Sequence, residues 1–152
     1  MTIIMSIQEK RTFVSMFSSA LVFFGYTYYT FGIHGEESWA QIHDYLFWAR
    51  FMLVMIPISI VVRIIVYILF TILNSIATRR MESDVQDERD KLIDLKAFRI
   101  SSYVFMGGFL ISLIILLWQE ELYLMFVGMV TFGFVSDITG ELAKFYFYRK
   151  GV

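Results

Sequence analysis

The chain has 152 residues, 58% of them hydrophobic and 18% aromatic, with a formal net charge of −1. A soluble domain of this length would not gather its apolar residues into long blocks, so the class is a polytopic membrane protein forming one domain over residues 1–152. The near-zero charge gives no footprint for nucleic acid, and the lack of cysteine excludes disulfides, thiolate metal sites and cysteine nucleophiles.

Four spans are expected, at about residues 12–33, 45–73, 100–119 and 122–148. The first is uncharged and ends in "YTYYTFGIHG". That ending offers no small-residue cleavage site, so the block reads as a retained helix and not a secretory signal. Ser18, Gly25 and Gly32 recur along it at heptad spacing and are candidate helix-packing positions. The same tyrosine-rich stretch could line an aromatic pocket, although belt and packing roles fit it better.

An acidic loop follows, with His34 and His43 beside Glu36, Glu37 and Asp44. The histidine spacing matches no metal motif, so these are read as surface residues, and no metal or cofactor is expected. The second span carries Arg50 near one end, Pro57, and a polar wedge of Ser59, Arg63, Tyr67 and Asn74. Pro57 should kink it, with Ser59 placed to help satisfy the freed carbonyl.

Between the second and third spans lies "SDVQDERDKLIDLKAFR", a helix expected over 83–99. Ser83 and Gln86 suggest a capping box, and Asp87–Lys91 an i,i+4 pair. Val85, Leu92, Leu95 and Phe98 form an apolar stripe at helical spacing. This helix should run on into the third span and project into the cytoplasm. Asp87, Glu88, Arg89, Asp90 and Lys91 would then be either a solvated face or a docking surface for a cytoplasmic protein, with solvation the simpler reading.

The run "DERDKLIDLKAFRISSYVF", together with the final "YFYRKGV", resembles a group of small bacterial four-span integral membrane proteins of unknown function. The likeness covers roughly the second half of the chain. It implies a bacterial setting, with such genes often beside small helix-turn-helix regulators, and it brings no catalytic residues.

The third span presents Ser101, Gly108 and Ser112 on one face, and the fourth presents Gly133, Ser136 and Gly140. These small residues predict a compact left-handed antiparallel four-helix bundle. The fourth span also carries Asp137, Glu141 and Lys144. An unpaired charge at mid-bilayer costs at least about 2.5–3.5 kcal/mol on insertion scales, so Arg63 is expected to meet Asp137 and Glu141, with Lys144 below.

Lys10, Arg11, Arg79, Arg80, Arg89, Lys91, Lys96, Arg99, Arg149 and Lys150 lie on one side of this arrangement, and the loops "HGEESWAQIHD" and "QEE" on the other carry no base. Both termini are therefore expected in the cytoplasm, with Trp39, Trp48 and Trp118 at the opposite surface. The chain has no protease dyad, intramembrane histidine or H-E-x-x-H run, so no enzyme is expected. Two functions fit. One is an accessory or regulatory component of a bacterial cytoplasmic membrane, in an immunity or stress-response role. The other is a small oligomeric transporter or channel coupled to protons or cations through the Arg63, Asp137 and Glu141 cluster. The bilayer, a second copy and a cytoplasmic protein are the partners in view.

Overall fold

A computed structural model describes residues 7–78 and 87–151, and every element among them is helical. The order is α1 (Ile7–Tyr28), a π-turn (Tyr29–Ile33), α2 (Gly35–Ala40), α3 (Tyr45–Thr78), α4 (Glu88–Gln119) and α5 (Leu122–Lys150). Of these, α3, α4 and α5 are long and apolar enough to cross a membrane, which is compatible with a multi-pass membrane protein.

The expected count of four spans is not supported on these criteria, and the reason lies in α1. It begins at Ile7, earlier than expected, and takes in Gln8, Glu9, Lys10 and Arg11. Beyond them Thr12, Ser15, Ser18 and Ser19 dilute its apolar character. The regular helix then ends at Tyr28, and a wide turn follows in which the His34 N–H donates five residues back to the Tyr29 carbonyl. The uncharged α-helical part is thus about 25 Å long at 1.5 Å per residue, short of a hydrocarbon layer of about 30 Å.

Burial runs opposite to that of a water-soluble protein. Among the described residues the buried apolar side chains are Val22, Trp48, Phe51, Ile93 and Ala97, whereas Glu9, Thr12, Ser18, Ser19, Ser38, Ser112, Ser136 and Glu141 are buried polar ones. Large apolar groups such as Leu53, Phe98 and Leu117 face outward. Where the surroundings are hydrocarbon, leucine gains nothing by turning inward, and polar or small groups make the helix contacts. Hydroxyls on outer faces satisfy themselves: Thr71, Ser102 and Thr139 each donate to the carbonyl four residues earlier.

Helix contacts form a row more than a closed bundle. The tightest pair is α4 with α5, α1 packs on both α5 and α3, and α3 meets α5 only lightly. The α4–α5 hairpin turns through Glu120, whose left-handed φ of 55° closes α4 with a bond from its N–H to the Leu116 carbonyl. Its seam is antiparallel. The Ser101 hydroxyl donates to the Ser136 carbonyl at 2.9 Å, and Ser136 returns the bond to the Ser101 carbonyl at 2.8 Å. Gly140 lies against Ser101, Gly108 against Phe132, and Gly128 against Ser112. Gly128, Phe132, Ser136 and Gly140 recur every fourth residue along α5.

Several expected packing positions fall elsewhere. Gly25 and Gly133 have open space where a Cβ would project, and Gly32 abuts its own Tyr28 ring, while Ser18, Gly108, Ser136 and Gly140 do sit in contacts. The stripe of Leu92, Leu95 and Phe98 is exposed. The buried face of α4 is instead Ile93 and Ala97, because the seam with α5 sets which side turns inward. Helix α4 starts at Glu88, with the Asp87 carboxylate accepting from the Glu88 N–H at 2.7 Å. Asp87 is therefore the cap, while Ser83, Val85 and Gln86 lie outside the described residues. Pro57 lies within an uninterrupted α3, and Ser59 donates to the Ile56 carbonyl at 2.7 Å, not to the Leu53 carbonyl that proline leaves without its partner.

A leucine at Gly140 would force α4 and α5 apart, because even a Cβ there comes within 3.1 Å of Ser101. Gly140→Leu is expected to lower stability by about 1–3 kcal/mol, read as thermal unfolding in detergent micelles. Gly133→Ala should cause no loss, and equal sensitivity at the two positions would contradict this seam.

Candidate functional site

Glu9, Phe13, Ser15, Ser19 and Phe23 mark the face of α1 that meets α5. They pair in turn with Arg149, Phe145, Glu141, Asp137 and Phe134. Numbers rise along α1 as they fall along α5, so the helices are antiparallel and every rung is a polar or aromatic match. Ser15 and Ser19 are four apart, as are Asp137 and Glu141, which places each pair on one helix face.

Two polar groups result from this register. In the first, Arg63 Nη2 donates to Asp137 Oδ2 at 2.8 Å and to Ser19 Oγ at 2.9 Å, while the Ser19 hydroxyl donates to the same carboxylate oxygen. In the second, the buried Glu141 accepts from Ser15 at 2.9 Å and faces Lys144 Nζ at 3.5 Å through the same oxygen, Oε1. Lys144 also reaches Asp94 of α4 at 3.3 Å. The expected single cluster is thus divided. Arg63 pairs with Asp137 and not with Glu141, because Glu141 lies one turn further along α5 and is taken by Ser15 and Lys144. Ser15, Ser19 and Asp94 were absent from the sequence-based set. The matching four-residue spacings on α1 and α5 were a signal that could have found the two serines.

Between α1, α3 and α5 lies a cleft of about 680 Å³. Its walls carry Arg11 and Ser15 of α1, Arg63 and Tyr67 of α3, and Glu141, Lys144 and Tyr148 of α5, with Asp90 and Asp94 of α4 at its terminal end. A second cavity of about 280 Å³ adjoins it, sharing Ser18 and Arg63 and lined also by Ser19, Phe134 and Asp137. Asp90 therefore faces the cleft, whereas Glu88, Arg89 and Lys91 are exposed beside the Asp87 cap.

The loop end of the molecule is closed by aromatic packing. Trp48 is buried with Phe51, stacks on Phe126, touches Phe31 and Phe47, and donates its indole N–H to the Ile42 carbonyl at 2.8 Å. Trp48 is consequently a packing residue, while Trp39 and Trp118 stay exposed as a belt requires. Of the tyrosine-rich stretch, Tyr26 joins the same packing on Phe51, next to Phe23 on Phe134, whereas Tyr28 and Tyr29 stay exposed. His43 faces Glu121 at 3.4 Å and His34 lies against Tyr29. Among the described residues no group of three or more His, Asp or Glu side chains is placed to hold a metal ion.

If Arg63 and Asp137 hold each other in an apolar layer, removing either leaves a lone charge. Arg63→Gln and Asp137→Asn should each destabilise the fold, and the double variant should lose less than their sum by about 0.5–3 kcal/mol. A double-mutant cycle of unfolding in micelles checks this, and strict additivity would show that the contact carries no energy.

Comparison with protein-family models, curated proteins and solved structures yields no match for this chain.

Proposed function

We propose that the chain is a non-enzymatic, four-pass protein of a bacterial cytoplasmic membrane, with both termini cytoplasmic, acting as an accessory or regulatory component through ligand binding in its cleft. The observation that carries this reading is a cleft whose charged lining residues Arg11, Asp90, Asp94 and Lys144 gather at the terminal end, while the loop end is packed with aromatic rings. Such a shape suits holding something from one side. The charges around it pair with their opposites, Arg63 with Asp137 and Lys144 with Glu141 and Asp94, so the site carries little net charge of its own.

The orientation follows from the excess of Lys and Arg at the terminal end. The count of four follows from treating α1 as a polar-faced span. Its serines meet α5 carboxylates, so it needs less apolar surface than a helix ringed by lipid, and the π-turn adds reach at the loop end.

One observation favours a second reading, a small transporter or channel for protons or cations. The smaller cavity continues from the cleft past Arg63 toward Phe23 and Met55. An arginine at that junction would repel cations, so flux would require the Arg63–Asp137 pair to open.

The natural absence of cysteine makes each engineered thiol unique. Ser15→Cys should react with a membrane-impermeant maleimide from the cytoplasmic side of vesicles, while Ile56→Cys, on an exposed apolar face of α3 about 16 Å from Tyr45, should react slowly from either side. Labelling of Ser15→Cys from the opposite side alone, or from neither, would sink the cytoplasmic cleft. In liposomes, a proton or cation current lost on Asp137→Asn would replace the accessory reading with the transporter.

A further inference from the structure

We infer that the cleft holds the headgroup of a cytoplasmic-leaflet phospholipid of the zwitterionic primary-amine class, a phosphoethanolamine head, with its acyl chains against α3. This deepens the cytoplasmic-cleft reading above and rests on it.

Depth is the first observation. From Tyr45, Arg63 lies about 27 Å along α3, within a layer of about 30 Å, so its guanidinium sits just beneath the far headgroup plane. Asp94 and Tyr148 line the same cleft beyond that depth. The cleft therefore covers the level at which lipid phosphates and amines lie.

Access is the second. Helices α3 and α5 touch only lightly, and Trp48 stacking on Phe126 joins them at the loop end. The Arg63–Asp137 bond joins them once more, and beyond it toward the terminal end the cleft lies between Tyr67 and Ile68 on α3 and Lys144 and Tyr148 on α5. Ile64 and Ile68 line its α3 wall and are also more than half exposed to the outside. A molecule with a polar head in the cleft can thus run its chains directly onto the apolar flank of α3.

Chemistry selects the head. The cleft wall holds Arg11, Arg63 and Lys144 against Asp90, Asp94 and Glu141, so both signs are present in equal number. A net anion or cation would meet repulsion from half of this wall, whereas a zwitterion meets a partner at each end. Arg63 engages Ser19 and Asp137 through Nη2, and among the described residues its Nε and Nη1 remain as donors for a phosphate. Glu141 receives Ser15 and Lys144 through Oε1, so Oε2 keeps its lone pairs for an ammonium N–H. A primary ammonium has three such donors and a trimethylated one has none.

The test uses the full-length protein, purified in detergent and stripped of lipid. It is offered phosphatidylethanolamine, phosphatidylcholine and phosphatidylglycerol with identical acyl chains, and retained lipid is counted by native mass spectrometry. The ethanolamine lipid should be retained over the choline lipid by about tenfold, the scale of one charge-assisted hydrogen bond. Glu141→Gln should erase that preference, and Asp94→Asn serves in its place if that variant does not fold. Arg50→Gln, outside the cleft, should leave the preference unchanged. Equal retention of the three lipids, or a preference for the glycerol lipid, overturns the inference. So does displacement of bound lipid by soluble phosphoethanolamine or inorganic phosphate at matching concentration, since the ligand would then be a free phosphate species. Any of these failures leaves the thiol-labelling result on the cleft's sidedness untouched, so the two readings fail separately.

Discussion

A charge carried into an apolar layer must find its counterpart within the protein, and in this chain that demand is met along α5. Asp137, Glu141 and Lys144 recur every three or four residues on it, each committed to a different neighbour. Asp137 draws in Arg63 from α3 and Ser19 from α1, Glu141 draws in Ser15, and Lys144 reaches Asp94 on α4. All the other long helices are thus tied to α5 by polar contacts, which in hydrocarbon are among the few forces that discriminate one register from another.

The two ends of the molecule are built by different physics. At the loop end, rings from α1's continuation, α3 and α5 interlock around Trp48, and close contact there needs no water. At the terminal end, hydroxyls, carboxylates and bases face one another across a cleft and the helices stand apart. The smooth α4–α5 seam of Ser101, Ser136, Gly128 and Gly140 gives this asymmetric structure a firm back. A structure closed at one end and open at the other lends itself to holding a ligand from one side, and the arrangement of paired charges keeps that opening from being a loose end.

Much of this was legible before any coordinates, and the exceptions are informative. The contact of Arg63 with Asp137 followed from similar depth on two helices entering from the same side, since both charges needed a partner. Assigning Glu141 to Arg63 as well was mistaken, because depth and face alone do not reveal a competing hydroxyl on a third helix. The apolar stripe of Leu92, Leu95 and Phe98 misled for a related reason. Periodicity locates an apolar face, but beside a membrane an apolar face turns outward as readily as inward, and the buried face belonged to Ile93 and Ala97. Gly25 and Gly133 show the same limit: a small residue permits close approach without compelling it.

The sequence by itself determined what depends on composition along the chain: long apolar helices in α3, α4 and α5, and bases gathered at one end. Those features follow from local hydropathy and charge, which no partner helix can alter. Only the tertiary structure decided which faces meet, that α1 turns Ser15 and Ser19 toward the α5 carboxylates, that Glu141 goes to Ser15 and Lys144 and not to Arg63, and that a cleft lies between α1, α3 and α5. In a medium where burial of apolar surface gives little direction, register is chosen by a handful of hydrogen bonds and small-residue contacts between distant segments. Those pairings exist only once the helices stand side by side.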